Sequence, residues 1–408
     1  MKRLLLAILT ITSALSVVSQ SLTDSLETVA PDSITLSWPE YAGRGLDSLL
    51  AADKLMQTSQ LGLMVYDLTA DSALYCHGHR QTLRPASVMK LVTAIAGIDR
   101  LGGDYRFRTS LLYNGHIEGR TLVGDLKCVG GFDPRFNNDD LNAFVESIRQ
   151  EGIDTICGSI FADLSMKDGD RLGEGWCWDD DNPVLSPLLL NRKDNFVCRL
   201  REELMGDGVV FVPDSVHHYV PSAPVHLCTR FHTLDQILMR MMKESDNLYA
   251  EAMFYQIAAA GGSRPAKASH ARQVIRKLIS KVGMSGSDYK IADGSGLSLY
   301  DYVTPELIVR LLRYAYQENN IFIHLQPSLP VGGEDGTLKK RLADPSTRGN
   351  VQAKTGTLTG VSSLAGYCTA GNGHQLCFCI INQGVMRASD GRAFQDKVCE
   401  ILVKRYDW

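Results

Sequence analysis

Three short stretches, held apart by long gaps, constrain this 408-residue chain more than anything else in it. They are Ser87-Val88-Met89-Lys90, Ser245-Asp246-Asn247 and Lys354-Thr355-Gly356. A serine hydroxyl is a poor nucleophile until a base removes its proton. Lys90 follows Ser87 by three positions, so on a helix the two side chains share a face. Pro85 opens that predicted helix and Gly102-Gly103 closes it. Val88, Met89, Leu91, Val92, Ala94, Ile95 and Ala96 make it apolar nearly all round, as in a buried helix. Burial lowers a lysine pKa and frees the amine near neutral pH. The helix N-terminus favours negative charge developing on the serine oxygen.

The other two stretches supply complementary groups. Ser245 can relay a proton between Lys90 and a departing amine. Asn247 can donate to a substrate amide carbonyl and hold Lys90 in place, while Asp246 reads as a turn residue with no assigned role. Lys354, Thr355 and Thr357 lie on a predicted strand, where an ammonium and hydroxyls can bind a terminal carboxylate. Gly356 permits close approach of a substrate backbone. The backbone N–H of Thr357 can pair with that of Ser87 as an oxyanion hole. Taken singly, each stretch has a plain reading: a capping serine with a snorkelling lysine, a helix-to-helix turn, and an edge strand protected by lysine. Together and in this order they point to an acyl-serine enzyme.

The gap from Leu91 to Glu244 is the second clue. Residues 61–76 read as a strand pair, and residues 104–230 as an inserted, mainly β or α+β domain. From Thr233 the helical period returns, with Thr233 and Gln236 as a capping box. Thr304-Pro305 starts another helix. Three C-terminal strands follow, over Val351–Leu358, Ser363–Thr369 and Gln375–Asn382, with a final helix from about Arg392. The catalytic domain is therefore expected in two parts, residues 22–103 and 231–408. Asp293-Gly294-Ser295-Gly296-Leu297-Ser298 is a glycine-rich turn near the site; no G-K-[ST] follows, which argues against a phosphate loop.

Composition narrows the classes. The net charge is −4, and there is neither a basic block nor zinc-type spacing, so nucleic acid, a metal and a cofactor are not expected. Lys2-Arg3, the apolar run Leu4–Val18 and small residues at Ser16 and Ser19 read as a secretory signal over residues 1–19. No later segment reads as transmembrane, and a periplasmic location follows. Ten cysteines are present; core cysteine is the reading for most, and Cys377 and Cys379 should share a strand face.

With these motifs in hand, the chain resembles the low-molecular-mass class C penicillin-binding proteins, the D-alanyl-D-alanine carboxypeptidases/endopeptidases of the DacB type. Further residues carry the likeness: Gly124-Asp125-Leu126, Gly130 to Pro134, Gly175-Trp176-Cys177-Trp178, the Asp293–Ser298 turn, and Leu329-Pro330 leading to Asp335-Gly336-Thr337-Leu338. The resemblance implies an α+β, β-lactamase/transpeptidase-like domain, an antiparallel five-stranded sheet flanked by helices, with inserted domains between the first and second motifs. It implies hydrolysis of the terminal D-Ala-D-Ala bond of peptidoglycan stem peptides, cleavage of cross-links, and acylation of Ser87 by β-lactam antibiotics. It also places Asp180 in a pocket for a stem-peptide side chain. Two departures stand out. Only residues 199–229 lie where a nested third domain is expected, so that domain is reduced or absent. Leu299 stands where a basic residue is usual, and Thr359 where a polar amide is usual. Two other readings remain open here: a β-lactamase or esterase on the same fold, and a non-catalytic peptidoglycan-binding protein.

Overall fold

The computed structural model describes residues 36–178, 182–212, 223–262 and 264–405. The predicted signal segment and Asp180 lie outside the described residues. Strands from the N-terminal and C-terminal parts of the chain meet in one five-stranded antiparallel sheet. Its strands are β1 (Gln60–Asp67), β2 (Ser72–His77), β9 (Gln352–Leu358), β10 (Val361–Thr369) and β11 (Gln375–Gln383), in the order β2-β1-β11-β10-β9. Alternate residues of β11 feed two different cores, because side chains alternate across a strand. Leu376, Phe378 and Ile380 pack beneath α1 (Trp38–Ala52) and α10 (Ala388–Val403). Cys377, Cys379 and Ile381 face the helices on the other side. The two cysteines thus share a face, as expected, within a strand buried on both. All ten cysteines are free thiols.

Those other helices are α2 (Met89–Leu101), α5 (Leu234–Lys243), α6 (Asn247–Ala259), α7 (Ala268–Lys281), α8 (Pro305–Gln317) and α9 (Asn319–Ser328). Local signals set their ends. Thr233 Oγ1 accepts from the Gln236 amide at 3.3 Å while Gln236 Oε1 accepts from the Thr233 amide at 2.9 Å, closing the predicted capping box over α5. Thr304 caps α8, with Pro305 at its start.

Residues 106–233 form a second, mixed sheet: β3 (Arg106–Glu118), β4 (Thr121–Val129), β5 (Thr155–Cys157), β6 (Ile160–Asp163), β7 (Val210–Val212) and β8 (Val225–Thr233). The order is β7-β5-β4-β3-β8, with β6 also on β4. Helices α3 (Asn138–Gln150) and α4 (Phe196–Gly206) contribute Phe144 and Phe196 to its core, with Leu111, Leu126 and Phe136. Between Cys198 and Arg230, the described residues hold only the rest of α4, β7 and the start of β8, all within this unit. Its apolar surface is not self-contained. Phe107, Phe132, Met166, Leu185 and Leu189 belong to the same buried cluster as α2, α5, α6 and α7.

Candidate active site

The turn that carries Ser87 departs from expectation by a few residues. Pro85 is followed by a 3-10 turn over Ala86–Val88, and the α-helix starts only at Met89. Ala86 has φ +49°, a left-handed conformation that non-glycine residues adopt only where the surroundings enforce it. Two glycines allow those surroundings to close in. A Cβ on Gly296 would lie 1.9 Å from the Ala86 carbonyl oxygen. One on Gly356 would lie 2.2 Å from Ser363 Oγ, 2.8 Å from the Pro85 oxygen and 3.0 Å from the Ser87 nitrogen. Ser363 Oγ in turn donates to the Pro85 carbonyl at 2.6 Å. Ser87 is thus pinned between β9, β10 and the Asp293–Ser298 turn.

Lys90 is fully buried. Its Nζ reaches Ser87 Oγ at 2.9 Å, Asn247 Oδ1 at 2.7 Å and the Ser295 carbonyl at 2.8 Å. Burial pushes its pKa down to about 8, against the pull of Asp293, Glu251, Asp246 and Asp301. A neutral amine here can take the Ser87 proton. Because Asn247 Oδ1 accepts from Lys90, its amide nitrogen is left free to face a ligand.

Lys354 is also buried, and donates to Ser245 Oγ at 2.9 Å and to the Thr355 carbonyl at 2.7 Å. Burial holds its pKa well below the usual lysine value, and repulsion from Lys90 adds to this. Thr355 Oγ1 donates to Thr337 Oγ1 at 2.8 Å, and Thr357 is exposed further along β9. The hydrogen bonds thus form two groups, Ser87 and Asn247 around Lys90 and Ser245 and Thr355 around Lys354, with Thr357 further along the strand of Lys354.

Four contributors went unassigned at the level of sequence. Ser295 supplies the carbonyl under Lys90. Asp293 arranges that turn, accepting from the amides of Ser295 at 3.1 Å, Gly296 at 2.6 Å and Ser298 at 2.8 Å. An Asp opening a Gly-Ser-Gly turn is a local signal for this. Glu251 is buried, accepts from the Gly294 amide at 3.0 Å, and is pushed up to about 8, chiefly by burial. Asp246 is more than a turn residue: it is buried, caps α6 through the Leu248 amide at 3.1 Å, and accepts from Arg240 at 2.9 Å and from Arg192.

The two departures, Leu299 and Thr359, both lie close to Arg84. The Leu299 carbonyl accepts from Arg84 Nε at 2.9 Å. Arg84, Gln383 and Thr359 line one cavity of about 540 Å³. A second cavity, about 610 Å³, is bordered by Ser245, Asn247, Arg192 and Lys193.

The pattern of the D-Ala-D-Ala carboxypeptidase 3 (S13) family matches residues 43–189 and 191–405. The chain belongs to this family. It is a serine-peptidase hydrolase, and the resemblance drawn from the motifs is borne out. The D-alanyl-D-alanine carboxypeptidase DacB of Haemophilus influenzae is 24% identical over 431 residues, covering 85% of this chain and 89% of that protein. A D-alanyl-D-alanine carboxypeptidase of Actinomadura is 27% identical over 439 residues, covering 83% and 80%. In fold, penicillin binding protein 4 (dacB) from Haemophilus influenzae superposes with a TM-score of 0.79 at 23% identity, covering 88% of this chain and 99% of that one. The expected α+β transpeptidase-like fold holds. Among the described residues no helix is long and apolar enough to cross a membrane.

Proposed function

We propose that this S13-family chain is an exported serine DD-peptidase that acts on peptidoglycan stem peptides through an acyl-enzyme on Ser87. The observation that carries the reading is the 2.9 Å approach of the buried Lys90 amine to Ser87 Oγ. Lys90 takes the hydroxyl proton as Ser87 attacks the carbonyl of the penultimate D-Ala. The Ser87 and Thr357 amides receive the oxyanion. Ser245 passes a proton to the departing amine. Lys354, Thr355 and Thr357 receive the terminal carboxylate, and Asn247 the peptide carbonyl. Water then hydrolyses the acyl-enzyme. β-Lactams enter by the same attack, with ring opening in place of a departing amine. Cleavage of cross-links follows the same chemistry when the departing amine belongs to a second stem.

The Arg84 position supports a substrate with an anionic side chain. Asp180 falls outside the described residues; Arg84, which donates to the Leu299 carbonyl and lines a cavity with Thr359 and Gln383, would stand in for the cation missing at Leu299. The apolar run behind Lys2-Arg3 supports export to the periplasm.

Two measurements test the reading. Digestion of purified peptidoglycan, followed by product masses, separates loss of D-Ala from cross-link cleavage. Mass spectrometry after penicillin treatment should place one adduct on Ser87. Folded protein with no adduct and no released D-Ala would sink the proposal. Rapid antibiotic turnover would move the reading to a β-lactamase.

A further inference from the structure

Two side chains of the inserted stretch end on buried carboxylates that adjoin the reacting groups. The first is Arg192. Its guanidinium pairs with Asp246, the residue between Ser245 and Asn247. The loop that delivers it is unusual. Asn191 and Arg192 are consecutive non-glycine residues in the left-handed region, at φ +48° and +69°. Such conformations persist only where the surroundings over-determine them. Here the Leu190 and Lys193 backbones exchange two hydrogen bonds, at 3.0 and 2.9 Å, and the Asn191 amide donates to the Phe136 carbonyl at 3.0 Å. Ser245 is itself left-handed, at φ +59°, so its placement depends on what holds Asp246. Arg240, which donates to the same carboxylate, comes from the neighbouring α5; Arg192 comes from the insert.

The second side chain is Trp176. Its Nε1–H donates to Asp293 Oδ2 at 2.7 Å. Asp293 shapes the turn whose Ser295 carbonyl accepts from Lys90. The stretch sits tightly there: a Cβ on Gly175 would lie 2.6 Å from Tyr300 Cδ2 and 2.7 Å from Ser298 Oγ.

We infer that Arg192 and Trp176 are positioning residues, through which the insert holds the second motif and the seat of Lys90 in register for attack by Ser87. The inference rests on the acyl-serine reading above. The insert therefore acts on the rate of acylation and not on ligand capture alone.

Penicillin acylation of the full chain, resolved into a binding constant and a first-order acylation rate, tests this. Arg192→Ala should lower the acylation rate by about ten- to a hundredfold, the scale of a misplaced catalytic group, with the binding constant unchanged. Asp246→Asn should do the same. The double variant should lose no more than either single one, because residues acting through one contact are not additive. Arg192→Lys should recover part of the rate, and Trp176→Phe, which keeps the ring but not the N–H, should slow acylation without lowering the melting temperature to match. An unchanged rate in Arg192→Ala, or additive losses in the double variant, would overturn the inference. Should Arg192→Ala not fold, Arg192→Lys with Asp246→Asn forms the same cycle. A wild-type protein that forms no adduct would overturn the acyl-serine reading instead. Amide hydrogen exchange at Leu248 then decides the positioning role: faster in Asp246→Asn and in Arg192→Lys supports it, and unchanged in both refutes it.

Discussion

The ammonium of Lys354 meets the hydroxyl of Ser245 at 2.9 Å, and neither of its two side-chain hydrogen bonds ends on a carboxylate. A buried cation without an anion is costly. Among the described residues, its hydrogen-bond partners are Ser245 Oγ and the carbonyl of Thr355. A ligand carboxylate would complete the site.

Lys354→Ala should therefore discriminate between ligands. Loss of a charge-assisted hydrogen bond costs roughly 1.5–3 kcal/mol, or on the order of ten- to a hundredfold in kcat/KM. That loss should fall mainly on peptides ending in a free carboxylate. The same peptides capped as amides should lose less, since only the contact with Ser245 changes for them. Equal losses for both would remove Lys354 from carboxylate recognition.

The pH dependence follows from Lys90. Only the neutral amine can accept the Ser87 proton, and burial places its pKa at about 8. Acylation should rise about tenfold per pH unit below that value and level off above it. Glu251, itself pushed up to about 8, stabilises the ammonium form to the extent that it is ionised. Removing it favours the neutral amine, so Glu251→Gln should move the rising limb to lower pH. A limb that stays in place, measured by penicillin acylation over pH 5–10, would exclude the electrostatic link.

Gly356 offers a steric test. Its added Cβ would meet Ser363 Oγ at 2.2 Å and the Pro85 oxygen at 2.8 Å. Ser363 is buried and the Pro85 carbonyl is backbone, so neither can give way freely. Overpacking of this kind costs about 1–3 kcal/mol of stability. Gly356→Ala should also push the Ser87 turn aside and cut acylation by about a hundredfold. Denaturant unfolding and acylation kinetics on the same preparation separate the two effects.

Arg84→Ala addresses the substrate. The guanidinium lies on the Leu299 carbonyl at the cavity shared with Thr359 and Gln383. Stem peptides with a carboxylate on the third-residue side chain should lose about tenfold in kcat/KM. Peptides with a lysine there should lose nothing. Identical losses would place Arg84 outside the recognition of that side chain.

Much of this arrangement was legible in the chain because it is local. The three-residue step from Ser87 to Lys90, the Thr233–Gln236 box and the alternation through Leu376–Ile381 each encode their geometry within a few residues. The start of α2 was displaced because no local signal announces a left-handed Ala86; the contacts that enforce it come from Gly296 and Ser363, far along the chain. The roles of Asp246, Ser295 and Thr337 were hidden for the same reason. Each is defined by a partner that only the folded topology supplies: Arg192 for Asp246, Lys90 for Ser295, Thr355 for Thr337.

The shared apolar cluster of Phe107, Phe132, Met166, Leu185 and Leu189 with the helices behind Ser87 bears on how the enzyme moves. Lobes that meet through a wet, polar seam can swing apart at little cost. Here opening the seam would bring large core side chains into water, at about 25 cal/mol for every Å² of apolar surface uncovered. Breathing of the two lobes is thus a poor route for admitting a bulky cell-wall polymer. A substrate would then have to fit the shape the site already has.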